Sequence, residues 1–356
     1  MGIVDCPACG MPRFFNFAIK WGDNGTIVSR VSPAFRLVLV ESALLEDIYR
    51  RIETAIGASI RHVVFEAERA ASAATIGSLM PDWLINRVLR NRVAMHPASR
   101  FLQLLARMAG LADAHTIFYH VFRGSLARVR NEFNREIFAA MVVGAFERME
   151  GVVYDHDWIE LGGELFLFIN PAREKPEIAG RMKPEIVKPL PGQRGLDLCR
   201  RCGFPAALGH LRWDIPNAVI TDTRRGVRMS FVENYAFSAV FRELISELGE
   251  EIVPIIVDAS SEYTLRSIEE TGFFSAGQDR AGRYADYLAL LPIYGYGNPV
   301  HTELSGESFA VTMENPYSVL MLAGQLGAVY EAVEGHPGSV AIDDRDPRRV
   351  RISVGT

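Results

Sequence analysis

Apolar residues at positions 44, 45, 48, 52 and 56 recur at the three- and four-residue spacing of an amphipathic helix, and Gly57 stands where such a helix stops. The same spacing predicts helices over 235–248 and 319–333. The stretch 137–149 is apolar nearly all round, which predicts a helix buried between layers. Helices are also expected from Pro81 through Val93, carrying Arg87, Arg90 and Arg92, and over 99–108. Alternating or continuous apolar runs predict strands at 126–130, 218–221, 227–232 and 252–257, while 35–40 suits a buried strand or the approach to a helix and 115–121 a strand or a pocket-lining loop. Two closing hairpins are expected, 152–158 with 164–169 through Gly162-Gly163, and 339–342 with 349–354. An earlier one joins 14–19 to 26–30 around Gly22-Asp23-Asn24-Gly25. Residues 60–70 read both ways: Val63-Val64-Phe65 favours strand, and Glu66 onward favours helix.

The pattern repeats. Cys6-Pro7-Ala8-Cys9-Gly10 matches Cys199-Arg200-Arg201-Cys202-Gly203, and a slip of one residue then lays Lys20-Trp21 on Arg212-Trp213. Arg36 to Glu41 falls on Arg228 to Glu233, Gly57 on Gly249, and Glu66 on Asp258 without a gap. After a loop of different length, Arg130-Asn131-Glu132 matches Glu314-Asn315-Pro316, and Glu150-Gly151 matches Glu334-Gly335. The chain therefore reads as two related units, 1–170 and 197–356, joined by 171–196. That joining segment holds Pro171, Pro176, Pro184, Pro189 and Pro191 among charged residues. Proline disfavours helix and removes donors, so an extended, exposed spacer or an ordered strap over the surface is expected. The stretch 273–296, rich in aromatics and glycine, replaces the basic helical stretch of the first unit, so the two halves are expected to do different things.

Composition narrows the classes. The 356 residues are 49% hydrophobic and 23% charged, with a net charge of -5. That suits a globular protein with a core of good size and argues against a nucleic-acid binder. No apolar run is long enough to span a bilayer, and no charged-then-apolar leader opens the sequence, so a cytoplasmic location is expected.

In a reducing compartment, four cysteines paired as C-x-x-C point to metal rather than disulfide. Each C-x-x-C-G turn offers two thiolates, and a tetrahedral zinc ion takes four. Neither turn has a second ligand pair nearby. Either Cys6, Cys9, Cys199 and Cys202 meet around one ion, or each pair is completed by another chain. A cysteine-ligated iron–sulfur cluster uses the same ligands and is the alternative. A thioredoxin-like redox pair is disfavoured, because the turns precede hairpins rather than open a helix. Four thiolates leave no open position, so the expected role is structural. The fold class that follows is α+β, with two duplicated units, each an antiparallel sheet packed on helices and each opened by a zinc-knuckle hairpin (6–10 and 199–203).

Other residues carry less. His115 and His120 are five apart, which does not suit one shared metal, and His156 sits between two aspartates as in a polar turn. Glu147 and Glu331, and Glu150 and Glu334, recur at helix ends, where structural roles are expected. No Walker loop, nucleophile elbow, dinucleotide fingerprint or H-E-x-x-H occurs. Aromatic residues gather in the least regular segments. Phe118, Tyr119, His120, Tyr294 and Tyr296 are the expected lining of a ligand pocket, with core packing as the plainer role for each.

The stretches Val129-Arg130-Asn131 to Gly151 and Met313-Glu314-Asn315-Pro316 to Gly335, each followed by a strand pair, resemble the 4-vinyl-reductase domain, a hydrocarbon-binding domain sharing its fold with TRAPP trafficking subunits. The resemblance covers about half of the chain. It implies an antiparallel sheet packed on helices and a small apolar or aromatic ligand in a sensor. The cysteines that family carries near its closing hairpin have no counterpart here, so its metal chemistry is not implied. The expectation is a zinc-containing protein that binds a small hydrophobic or aromatic molecule, as a sensor or accessory protein. An enzyme acting on such a molecule and a homodimeric assembly protein are the alternatives.

Overall fold

The computed structural model describes residues 5–80, 82–86, 92–275 and 277–356. After the first cysteine turn come α1 (Arg13–Ala18), β1 (Ile19–Trp21), β2 (Ile27–Ser29) and β3 (Arg36–Glu41). Helices α2 (Leu44–Ile56), α3 (Arg61–Leu79), α4 (Asp82–Leu84) and α5 (Arg92–Met108) follow. Strands β4 (Asp113–His120) and β5 (Gly124–Arg130), helix α6 (Arg135–Glu150), and strands β6 (Tyr154–Leu161) and β7 (Glu164–Pro171) close the first half. The second half runs β8 (Leu211–Asp214), β9 (Val219–Asp222), β10 (Val227–Glu233), α7 (Tyr235–Leu248), α8 (Ile252–Thr271) and α9 (Arg280–Tyr294). It ends with β11 (Asn298–Ser305), β12 (Ser308–Glu314), α10 (Val319–Glu334), β13 (Ser339–Asp346) and β14 (Arg349–Gly355).

Local chemistry explains the helix ends. Asn134 Oδ1 accepts from the Ile137 amide at 2.9 Å and caps α6. Helices α2, α6 and α10 each stop at a glycine in the left-handed region, Gly57, Gly151 and Gly335. The expected strand at 252–257 is instead the start of α8. Pro254 is its third residue, where no helical N–H is needed, and Ile252, Ile256, Ser260, Tyr263 and Thr264 form its buried stripe. Residues 60–70 resolve as helix for the same reason, with Val63, Val64 and Ala67 buried. The aromatic stretch 273–296 contains a helix, α9, with Pro292 inside it. Residues 14–18 are helical rather than extended. The helix expected over 81–93 falls largely outside the described residues; within them, α4 and the start of α5 are helical.

All sheets are antiparallel and pack against helices. Six strands form a central sheet in the order β1-β2-β3-β10-β9-β8. At its middle β3 pairs with β10, Leu39 opposite Phe231. Two four-stranded sheets have the orders β4-β5-β7-β6 and β11-β12-β14-β13. Helices α3 and α6 pack together in the first half, and α8 and α10 in the second. Each pair crosses closely. A Cβ on Gly144 would land on the Arg69 carbonyl oxygen, and one on Gly324 on that of Val257. Ser72 Oγ donates to the Met141 carbonyl at 2.7 Å, and Ser260 Oγ to that of Met321 at 2.8 Å.

Helix α2 packs on α8 and α3 packs on α7, so each half covers the other. One apolar cluster runs through both halves, from Leu39, Ile48 and Phe138 to Phe231, Leu322 and Ile352. The segment 171–196 is a strap held along the surface. Leu190 is tied through its amide to Asn315 Oδ1 at 2.7 Å and through its carbonyl to Asn24 Nδ2 at 2.8 Å, and the Arg194 amide reaches the Asp23 carbonyl. Met182 is buried within it. No helix among the described residues is long and apolar enough to cross a membrane.

Candidate functional site

Each cysteine turn is built by its own backbone. The Gly10 amide donates to the Cys6 carbonyl at 2.7 Å and the Gly203 amide to the Cys199 carbonyl at 2.8 Å. Each glycine has a φ near +73°, which a side chain would strain (Gly10 72°, Gly203 74°). Cys6 N–H then meets the Met11 carbonyl, and Cys199 N–H that of Phe204. The tight turns aim amides at sulfur. Hydrogen bonds from the amides of Ala8 and Cys9 lower the Cys6 thiol, and those from Arg201 and Cys202 bring Cys199 down to about 6. Burial pushes the Cys9 and Cys202 thiols up.

The two turns meet. Cys6 Sγ lies 3.9 Å from Cys199 Sγ, and Cys9 Sγ lies 3.3 Å from Cys202 Sγ. All four sulfurs stand within 4.8 Å of one another, and none is in a disulfide. A single zinc ion with bonds near 2.3 Å holds tetrahedral thiolates about 3.8 Å apart. The donor set can therefore bind one metal ion within this chain. The Asn16 side-chain amide donates to the Cys202 carbonyl and ties α1 of the first half to the turn of the second. Phe15, Trp21, Phe204 and Phe231 pack beneath, with Trp21 and Phe204 ring centres 4.9 Å apart.

A cavity of about 420 Å³ opens inside the first half. Its walls are α3, α5 and α6, the sheet β4-β5-β7, and β3 with β10 of the central sheet. Small residues leave the space: Ala106 on α5, Ala145 on α6, and Ala114 and Ala127 on the sheet. Val31 and Phe101 line it and are exposed, marking where it reaches the surface. Hydroxyls in the wall are turned to other partners. Ser99 Oγ bonds the His96 carbonyl and Ser125 Oγ that of Phe118, while Thr116 Oγ1 accepts from Gln103 Nε2 at 2.7 Å.

The charged wall residue is Glu233, 2% exposed. Thr75 donates its hydroxyl to Glu233 Oε2, while Oε1 has no partner. Burial pushes its carboxyl up to about 7. Glu68 is also 2% exposed, and burial together with the neighbouring Glu233 carboxylate holds it well above the usual range.

In the second half a space of about 60 Å³ lies against α8 and α9. Tyr263, Phe273, Tyr287, Tyr294 and Tyr296 fill it. There Glu41 accepts from Arg225, from Tyr263 Oη at 2.8 Å and from Ser267 Oγ at 2.9 Å. Tyr296 stacks on Tyr317 with ring centres 4.3 Å apart.

The residues expected to line one pocket are not gathered. Tyr294 and Tyr296 are buried in the second half. Tyr119 is buried in a satellite cluster with Ile76 and Met149, its hydroxyl donating to Glu150 at 2.7 Å. Phe118 and His120 are exposed on β4. None of the five lines the 420 Å³ cavity. His156 lies in β6 rather than in a turn and stacks on Phe65 at 4.5 Å. Glu147 binds Arg69 and Lys175, and Glu334 binds Arg280 and Tyr284, so both brace the helices that carry them. A ligand pocket is expected from the sequence, but with other walls; the signal for this one is the set of alanines on elements that face one another. No protein-family model and no curated protein sequence matches this chain.

Proposed function

We propose that the chain is a duplicated protein whose four cysteines hold one structural zinc ion, and that its first half binds a small hydrophobic or aromatic molecule in a sensing or accessory role. The observation that carries the ligand reading is the 420 Å³ apolar cavity, set against the filled 60 Å³ space opposite. Pockets for small ligands have this size and lining. With Glu66 laid on Asp258, Ala71 corresponds to Tyr263 and Thr75 to Ser267. The hydroxyl-to-glutamate bond recurs at both places, while the tyrosine ring that fills the second half is a methyl group in the first.

Duplication is supported by the shared strand order of the two four-stranded sheets. Asn131 and Asn315, matched in the sequence, both adopt the left-handed conformation at φ 53° and 54°. A single ion suits sulfurs this close better than an iron–sulfur cluster, whose several atoms hold thiolates farther apart.

Metal analysis and a ligand screen test both parts. We expect one zinc per chain and a raised melting temperature with toluene, naphthalene or n-heptane. Ala127→Leu with Ala145→Leu, which fills the cavity, removes the ligand shift and keeps the fold. No shift with any apolar probe overturns the ligand reading; iron with visible charge-transfer absorption overturns zinc.

A further inference from the structure

Glu233 is the anomaly in an otherwise apolar wall. Its Oε1 has no hydrogen-bond partner, and neither has Glu68 Oε1. Among the described residues no ion pair involves either carboxyl. Arg36, on the neighbouring strand, gives Nη2 to the Asn315 carbonyl at 2.9 Å and forms no ion pair with either carboxyl, although its buried Nε has no partner. Two carboxyls in one apolar region without a cation are costly, because neither can ionise without uncompensated charge. A neutral hydroxyl from a ligand would satisfy one oxygen. Without a ligand a proton keeps such a carboxyl neutral; an ammonium group could take the place of that proton.

We propose that the cavity is a site for an amphiphilic amine, its ammonium at Glu233 and its apolar body among the alanines and Met141. This rests on the cavity-binding reading above. Thr75 holds Oε2, so Oε1 is the oxygen left for the ligand. It lies beneath the wall surface, and rotation about the terminal carboxyl torsion, which is soft, exchanges the two oxygens, so that one meets the Thr75 hydroxyl and the other the occupant. The groups facing this carboxyl are Glu68 and Thr75 of α3 and Tyr235 of α7, with Tyr49 of α2 beyond Glu68. None of these supplies a positive charge. The proton that Glu233 carries before binding leaves to solvent as the ammonium takes its place.

Titration calorimetry of the full chain with n-heptylamine and 1-heptanol at pH 8 tests the assignment. The amine is expected to bind at least tenfold tighter than the alcohol, as a charge-assisted contact implies. Glu233→Gln should lose at least tenfold for the amine and under threefold for the alcohol. Equal affinities, or equal losses, overturn the proposal. Should the variant not fold, the wild type at pH 6 in buffers of different ionisation enthalpy decides. Proton release approaching one per amine and none per alcohol supports it, and equal release overturns it. If n-heptane binds and the amine does not, this inference fails alone. If no probe binds, the ligand reading fails with it.

Discussion

Leu39 of β3 stands directly opposite Phe231 of β10, and the register runs evenly to both sides, Leu37 facing Glu233 and Glu41 facing Met229. Both residues at the centre are fully buried. The two halves are thus joined by backbone hydrogen bonds through the middle of a sheet, with the cysteine turns at the flanking hairpins. A metal ion held by the four cysteines would be a second fastening of a joint the sheet already makes.

Cys6→Ser should lower bound metal below about half an equivalent per chain and reduce the melting temperature by on the order of 10 °C. Because the sulfurs come from both halves, hydrogen exchange should rise in β8–β10 as well as in β1–β3. Exchange confined to the first half would count against a shared ion.

The close helix crossings depend on two glycines. Gly144→Ala and Gly324→Ala each place a methyl group on a carbonyl of the facing helix. Each should cost about 2 kcal/mol or more in urea unfolding. A substitution that is neutral at either position would show that the helices sit farther apart than described.

Arg69 is buried and binds both Glu66 and Glu147, and it also donates to the Tyr154 carbonyl at 3.1 Å. Burial works against the charge on Glu147, yet Arg69 and Lys175 hold its carboxyl below the usual value. Arg69→Met leaves buried Glu66 without its cation and Glu147 with Lys175 alone, and should destabilise by roughly 3 kcal/mol. Adding Glu66→Gln and Glu147→Gln should recover part of that loss, measured by the same unfolding.

Stability should fall as pH rises from about 4.5 to about 7. In the unfolded chain Glu233 loses its proton near 4.5, whereas burial keeps it protonated in the folded state up to about 7. Its contribution is therefore intact below 4.5, declines between the two values, and is lost above the higher one. The full span is about 3 kcal/mol. Glu233→Gln should flatten that slope, and an unchanged profile would mean that another group causes it.

Much of the framework could be read from residue patterns. The stripes ending at Gly57 and Gly335 place α2 and α10 within a residue, and the two C-x-x-C-G turns announce sulfurs that the fold brings to 3.9 and 3.3 Å. Ile252 to Val257 misled because a short run of branched residues with a proline fits a buried strand as well as a first helical turn; the arbiter is the partner α10, which lies far along the chain. The cavity was hidden for a different reason. A void is a difference between volumes supplied by several elements, and Ala106, Ala145 and Ala127 look like ordinary composition until α5, α6 and β5 are set around one another. Of the aromatic residues expected as lining, Tyr294 and Tyr296 fill space in the second half, while Phe118, Tyr119 and His120 lie on β4, away from the cavity wall.

Helix α2 finds cover on α8 and α3 part of its cover on α7, and the edge of β3 that faces away from β2 is paired only by β10. During synthesis the ribosome therefore releases an N-terminal half that displays a sticky strand edge for as long as translation of the remainder takes. Premature termination within that interval would yield a product prone to aggregate, rather than a smaller working protein.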